Sequence, residues 1–423
     1  FRMSVSSRKS SKESKKSEES KDSKPERTEI SEADKALIEE LRGKIKRELD
    51  LLPAYNDDIS LLRWLVGWDR KVDVVVPKIK FSLRSIYALG LHKEDFSTLD
   101  KITDYCDACS VPLQWLPGSL VGIDKDGNVL SLQMIGRLDA PSLMPCTRNS
   151  DLYRMRIAES EGVMSIIRER ERQEGRQLGT SVIFDLDGMS MSMVDTVALK
   201  TIMTMLSQLQ EMFPDVLRKI FVINVPNFIQ LLWSLIVPAL AKQTQQKIEI
   251  LGDNWKDRLK EAIGDEVLFE RWGGTRKHEK GEYGFVRQGG KAPAHLKYDK
   301  ANDIPDAKLT SLKVSARNTA FVPIVVDGPA PTTGKRRLYW WWRVDSGDVG
   351  FSVLRAGDGR EGVAEHDDDD VIHPRWRLQT VYVPEDGEVD ATEPGTYKLV
   401  FDNTHGKVWA KNIKYFAEVR IVE

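Results

Sequence analysis

Apolar positions change period three times along this chain. Leu37, Leu41, Ile45 and Leu49 recur every four residues, and Ser31-Glu-Ala-Asp34 before them has capping-box spacing, so a helix is expected to start there. Shorter helical patterns follow at 59–66 and 74–89. From about residue 111 the pattern becomes strand and turn. "SLVGIDKDGNVLSLQ" reads as a hairpin with Asp126-Gly127 in its turn, and Gly127 follows Asp124 too closely for a calcium loop. A long charged helix is predicted at about 149–174, then strand "SVIFDL" and a helix at 192–212. That helix shows Ala198, Ile202, Met205, Leu209 and Met212 on one face. "KIFVINV", an apolar helix at 227–241, "KIEIL" and a helix near 255–263 complete the series. Strands alternating with helices predict a mostly parallel buried sheet.

After Gly273-Gly274 the chain turns glycine-rich and polar, a linker pattern. About seven short alternating runs then follow from residue 308, separated by Gly, Pro and Asp turns. In "LYWWWRV", Leu338, Trp340, Trp342 and Val344 face one way and Tyr339, Trp341 and Arg343 the other; "TYKLVFD" alternates alike. This is the pattern of a β-sandwich. Residues 1–30 mix Ser, Lys, Arg and Glu with almost nothing apolar and are expected to be disordered.

Composition narrows the chemistry. A net charge of −2 over 423 residues carries no global signature of a nucleic-acid partner. Three cysteines (Cys106, Cys109 and Cys146) and the lack of an apolar leader point to a reducing, cytosolic compartment. Cys106 and Cys109 have half of a zinc site's spacing but no second pair to complete it. His366 with Asp367 to Asp370 is expected to be a solvated acidic loop, so no metal is assigned.

"SVIFDLDGMS" raises a covalent alternative, since a strand ending in Asp185-x-Asp187-Gly begins the active site of aspartate-nucleophile magnesium phosphatases. Asp253 and Asp257 have the spacing of metal carboxylates downstream. Against this, the next strand ends in Asn224 and Asn227 where a Ser or Thr must hold the phosphate, and "FIQLLWSLIVPAL" follows. Phe228, Leu231, Leu232, Trp233, Leu235, Ile236 and Val237 leave that helix almost no polar face. It is too short to cross a bilayer, which needs ~20 residues, but suits a cover over a hydrophobic ligand. Asp185 and Asp187 are then structural, capping the following helix, and no catalytic residue is assigned.

Taken in order, "DISLLRWL", "IDKDGN", "VIFDLDGMSMS", "FPDVLRKIFVINVPNFIQLLWSLIVPAL", "QKIEILG" and "RWGGT" resemble the Sec14-like lipid-transfer proteins with a CRAL-TRIO domain. "LYWWWRVDSGDVGFSVLR" and "YKLVFDNT" are similar to a GOLD domain. The resemblance implies a multi-domain chain: a disordered tail (1–30), a small helical unit (31–95), an α/β lipid-binding cage (105–280), a linker (281–305) and an all-β GOLD sandwich (306–423). It implies no enzyme and no cofactor, but a bound lipid exchanged between membranes, phosphatidylinositol or a related phospholipid first and a tocopherol- or squalene-like isoprenoid otherwise. A scaffold with a degenerate cage is the remaining class. The gate falls at 227–240. The headgroup positions correspond to Arg70, Lys71, Asp126, Thr244 and Lys247, two cations and a hydroxyl suiting phosphate and a carboxylate suiting inositol hydroxyls. Peripheral membrane contact, through Golgi or other internal membranes, and a protein partner for the sandwich are also implied. Lys335, Arg336 and Arg337 are the sandwich's candidate contacts to anionic headgroups.

Overall fold

The computed structural model describes residues 27–229, 233–234, 237–329, 331 and 333–422. The helical unit comprises α1 (Glu32–Lys44), α2 (Lys46–Leu51), α3 (Asp58–Gly67) and α4 (Val72–Ala88), with α5 (Leu99–Cys109) behind it. Ser31 caps α1 as its spacing requires, accepting the Asp34 amide at 3.1 Å. The helix breaks at Ile45, so the buried face runs Ile38, Leu41, Ile45, Leu49, with Leu37 only partly covered.

The α/β part has one sheet in the order β1 (Ser119–Ile123), β2 (Val129–Gln133), β3 (Thr180–Asp185), β4 (Leu217–Ile223), β5 (Ile248–Ile250). The hairpin β1–β2 is antiparallel and every other pair is parallel. Its helices are α6 (Ala140–Leu143), α7 (Asn149–Glu174), α8 (Thr196–Met212), α9 (Lys242–Gln246) and α10 (Trp255–Ile263). Asp195, not Asp185 or Asp187, caps α8, accepting the Ala198 amide at 2.7 Å. The stretch after Gly273-Gly274 is not loose: Val286 is buried, and Arg287 bonds Gly118 and Asp107.

The C-terminal part is a sandwich of eight antiparallel strands. One sheet runs β10 (Asp370–Gln379), β9 (Asp348–Arg355), β12 (Gly395–Asp402), β7 (Thr319–Val326). The other runs β11 (Glu385–Asp390), β8 (Lys335–Val344), β13 (Lys411–Val422), β6 (Thr310–Val314). Alternation understates its burial, because Trp341, Lys398 and Val400 are covered as fully as the residues facing the other way.

Lys398 is covered by the sandwich's own loop, where its ammonium meets the Val363 carbonyl at 3.1 Å, and the sandwich also packs on the helices. Trp376 of β10 stacks on Tyr153 of α7 with ring centroids 5.7 Å apart. The acidic loop 366–370, expected to be solvated, is instead held by cations. Asp369 is buried against Lys398 at 2.5 Å, Asp367 meets Lys80 and Arg84 of α4, and Asp370 meets Arg47 and Arg355. Asn149 donates to the Gln379 carbonyl at 2.6 Å, and the Ser150 amide donates to Glu385 at 3.2 Å.

Burial at this junction pushes the Glu385 carboxyl up to about 8. The proton it retains favours the folded state at low pH, and that contribution is lost as pH rises from the usual carboxylate range through about 8. Glu385→Gln is therefore expected to stabilise the protein at pH 9, by on the order of 2–4 kcal/mol, and to change it little at pH 4. Melting curves across that range check this; an equal shift at both ends would show that the carboxyl is not held protonated. His373 works in the other direction. Burial among Trp340, Phe351 and Trp376 pushes it down to about 4, so its penalty appears as pH falls below 6.5.

Candidate functional site

Asp185 ends β3 at the centre of the sheet and is buried, so its partners decide its role. Its carboxylate accepts from the Asn224 side chain at 2.8 Å, the Asp187 amide at 3.0 Å and the Trp272 indole at 2.9 Å. Asp187 pairs with Arg271 at 2.6 Å. The Asp-Leu-Asp-Gly motif thus fastens Arg271 and Trp272 to the end of the central strand. Both of its oxygens are spent on structure, and Asp253 and Asp257 lie exposed. Among the described residues no three His, Cys, Asp or Glu side chains group as metal ligands.

Beside this motif the other face of β3 is open. Val182 and Phe184 stay half-buried although they lie in a central strand, because they border a cavity of about 780 Å³. The sheet forms one wall with Val182, Phe184, Ile220, Val222, Ile248 and Ile250, and α8 forms the other with Ala198, Leu199, Ile202 and Leu206. The apolar stripe of α8 is therefore divided. Met205 and Met212 are buried in the core, while Ile202 and Leu206 meet empty space. Met189 and Met193 line the cavity before α8, and Ile229, Trp233 and Leu240 line it from the apolar segment after β4.

Of the gate residues expected from the sequence, Trp233 lines the cavity. Phe228 and Val237 are half-buried outside its lining, and Leu231, Leu232, Leu235 and Ile236 lie outside the described residues.

The five headgroup candidates separate. Thr244 and Lys247 line one end of the cavity. Thr244 donates to Gln210 at 3.2 Å, and Lys247 is held by Asp215 at 3.3 Å and the Leu217 carbonyl at 2.6 Å. Arg70 does not line the cavity. It forks onto Asp34 at 2.6 and 3.3 Å, from a left-handed backbone of φ 60° after Asp69 at 53°. Lys71 points to solvent near Asp69 at 3.7 Å. Asp126 sits exposed at the hairpin tip, where its carbonyl accepts from Arg176. The buried acid of that hairpin is Asp124, which accepts from Ser181 at 2.7 Å.

Sequence reasoning missed the polar lining residues Asp69, Asp195, Gln210, Asp215, Lys242 and Gln243. Asp195 was readable as a cap three residues before Ala198. Asp69 and Asp215 carry no local pattern, since only the fold brings them together.

Comparison with known proteins agrees with this architecture. Residues 116–274 match the family model described as CRAL/TRIO domain. The chain is 23% identical over 379 residues to Protein ctg-1 of Caenorhabditis elegans, covering 86% of this chain and 91% of that one. It is 24% identical to Protein real-time of Drosophila melanogaster, over 65% of this chain and 40% of the fly protein. A solved structure titled "Crystal structure of Sfh5" aligns at 14% identity and TM-score 0.43, over 64% of this chain and 93% of its own. Residues 116–274 of this chain are a CRAL/TRIO domain, set between a helical unit and an all-β sandwich.

Proposed function

We propose that the chain binds a hydrophobic lipid in the cavity between the sheet and α8 and exchanges it between membranes. At the level of the family, a CRAL/TRIO domain binds and transfers lipid rather than catalysing a reaction. The observation that carries the reading is the cavity itself, walled by a sheet face and a helix face that are both apolar. A lipid leaving a bilayer forfeits ~0.8 kcal/mol per CH₂, so only burial of its tail along such walls makes extraction tolerable.

The polar end favours an uncharged ligand. Asp69 and Asp215 line the cavity against Lys242 and Lys247, and Lys247 is already engaged by Asp215. A phosphate there would compete with that carboxylate for Lys247. An isoprenoid of tocopherol or squalene type does not meet that obstacle. Phosphatidylinositol is the second reading, favoured by Thr244 and Lys247 standing together at the same end. Action from the cytosol on Golgi or other internal membranes, and a protein partner for the sandwich as a GOLD domain, belong to this proposal.

Native mass spectrometry with lipid extraction tests it. A chain that carries no lipid and takes none from vesicles would sink the reading. Lys247→Ala is expected to weaken phosphatidylinositol uptake about ten-fold, the scale of one charge-assisted contact, and to leave isoprenoid uptake within about two-fold. Equal changes in both would show that Lys247 never meets a headgroup.

A further inference from the structure

The two ends of the sandwich differ. At one end lie the turns 315–318, 345–347, 380–384 and 403–410, as the register requires: Asp348 pairs with Gln379, Asp402 with Gly350 and Thr319, and Lys411 with Val314. This end exposes apolar side chains. Trp409 is 80% exposed and Val408 71%, with exposed Lys407 beside them, and Val381 on the neighbouring turn is 55% exposed.

The tip that carries Trp409 is pinned. Asn403 is fully buried and donates to the carbonyls of Val314, Ser315 and Trp409 at 3.3, 3.2 and 3.0 Å. The Arg317 amide donates to the carbonyls of Asn403 and Gly406. An apolar pair held out on an ordered turn has already met the entropy cost of presenting it.

The same end touches the cavity rim. Tyr382, next to Val381, donates to Asp195 at 2.6 Å, and Asp195 both caps α8 and lines the cavity. Asp348 accepts from His405 of the tip turn at 2.9 Å and lies 3.6 Å from Lys200 of α8. Met191, 48% exposed, stands between the two cavity-lining methionines before α8. Tip and rim therefore share one side of the molecule.

We propose that this side docks on a lipid bilayer, with Val408 and Trp409 entering the interface and Lys407 meeting lipid phosphates. The inference rests on the lipid-exchange reading, because exchange with a membrane needs the carrier to be held against it. An indole with an adjacent ammonium matches the layer where apolar tails give way to charged headgroups. The basic run Lys335-Arg336-Arg337 is placed otherwise. It starts β8 at the opposite end, where Lys335 pairs with Val422. Arg337 is neutralised by Glu388 and Asp390, and Arg336 is bound to the carbonyls of Gly328 and Pro329.

Sedimentation of the full chain with phosphatidylcholine–phosphatidylserine vesicles tests this, paired with hydrogen exchange of residues 404–410. The double variant Val408→Ala with Trp409→Ala is expected to bind vesicles about ten-fold or more weakly while keeping its lipid content; Lys335→Ala is expected to bind normally. Vesicles are expected to protect the 404–410 amides. Undiminished sedimentation of the double variant, or unprotected amides in vesicle-bound protein, would overturn the docking face and leave the tip to a protein partner. Protection in a chain whose cavity takes up no lipid would uphold the face and count against the carrier reading.

Discussion

Arg63→Ala is expected to be the most damaging single change outside the hydrophobic core. Arg63 and Glu171 form a buried ion pair between α3 and the end of α7, each 2% exposed. Arg63 also donates to the Leu178 carbonyl at 2.9 Å and the Asp215 carbonyl at 2.6 Å, so one side chain joins the helical unit, the approach to β3 and the polar end of the cavity. Removing one member of such a pair leaves a charge buried and uncompensated, at a cost of about 3–5 kcal/mol. Urea unfolding measures it. The double variant Arg63→Met with Glu171→Leu is expected to recover most of that loss. Arg63 Nε and Glu171 Oε2 have no hydrogen-bond partner among the described residues, and apolar replacements leave neither group stranded. A loss below about 1 kcal/mol in Arg63→Ala would mean that water reaches the pair and the brace is superficial.

Much of this architecture was legible because periodicity reports burial. The 26-residue helix α7, the hairpin at Gly127 and the β3–α8–β4 order all follow from local pattern and turn chemistry. What was not legible depends on contacts distant in sequence. Trp341 and Lys398 read as outward-facing, and their burial comes from neighbours that alternation within one strand does not reveal. The loop 366–370 reads as solvated because its cations come from other elements, Lys398 and Arg355 on separate strands and Arg47, Lys80 and Arg84 about three hundred residues away. The headgroup candidates divide for the same reason. Thr244 and Lys247 reach the cavity because α9 lies on its rim. Arg70 is claimed by Asp34, which the sequence offered only as part of a cap. The division of α8 between core and cavity has no sequence signal, since Met205 and Ile202 are equally apolar.

That division makes α8 the place to separate folding from function. Ile202 and Leu206 face the cavity, so a larger side chain there meets space rather than packed atoms. Ile202→Trp and Leu206→Trp together are expected to cut copurifying lipid about ten-fold or more, because the indoles occupy room that a lipid tail needs. Stability is expected to hold or rise, as the tryptophans bury apolar area that the unliganded chain leaves uncovered. Met205→Trp is the control: Met205 is buried in the core, where added volume strains its neighbours by about 1–3 kcal/mol without entering the cavity. Lipid extraction and thermal melting are read on both variants. Full lipid content in the Ile202/Leu206 variant would show that the ligand lies elsewhere. Equal destabilisation of both sites would show that the space beside α8 closes in solution, since an open cavity and a packed core answer the same substitution with opposite signs.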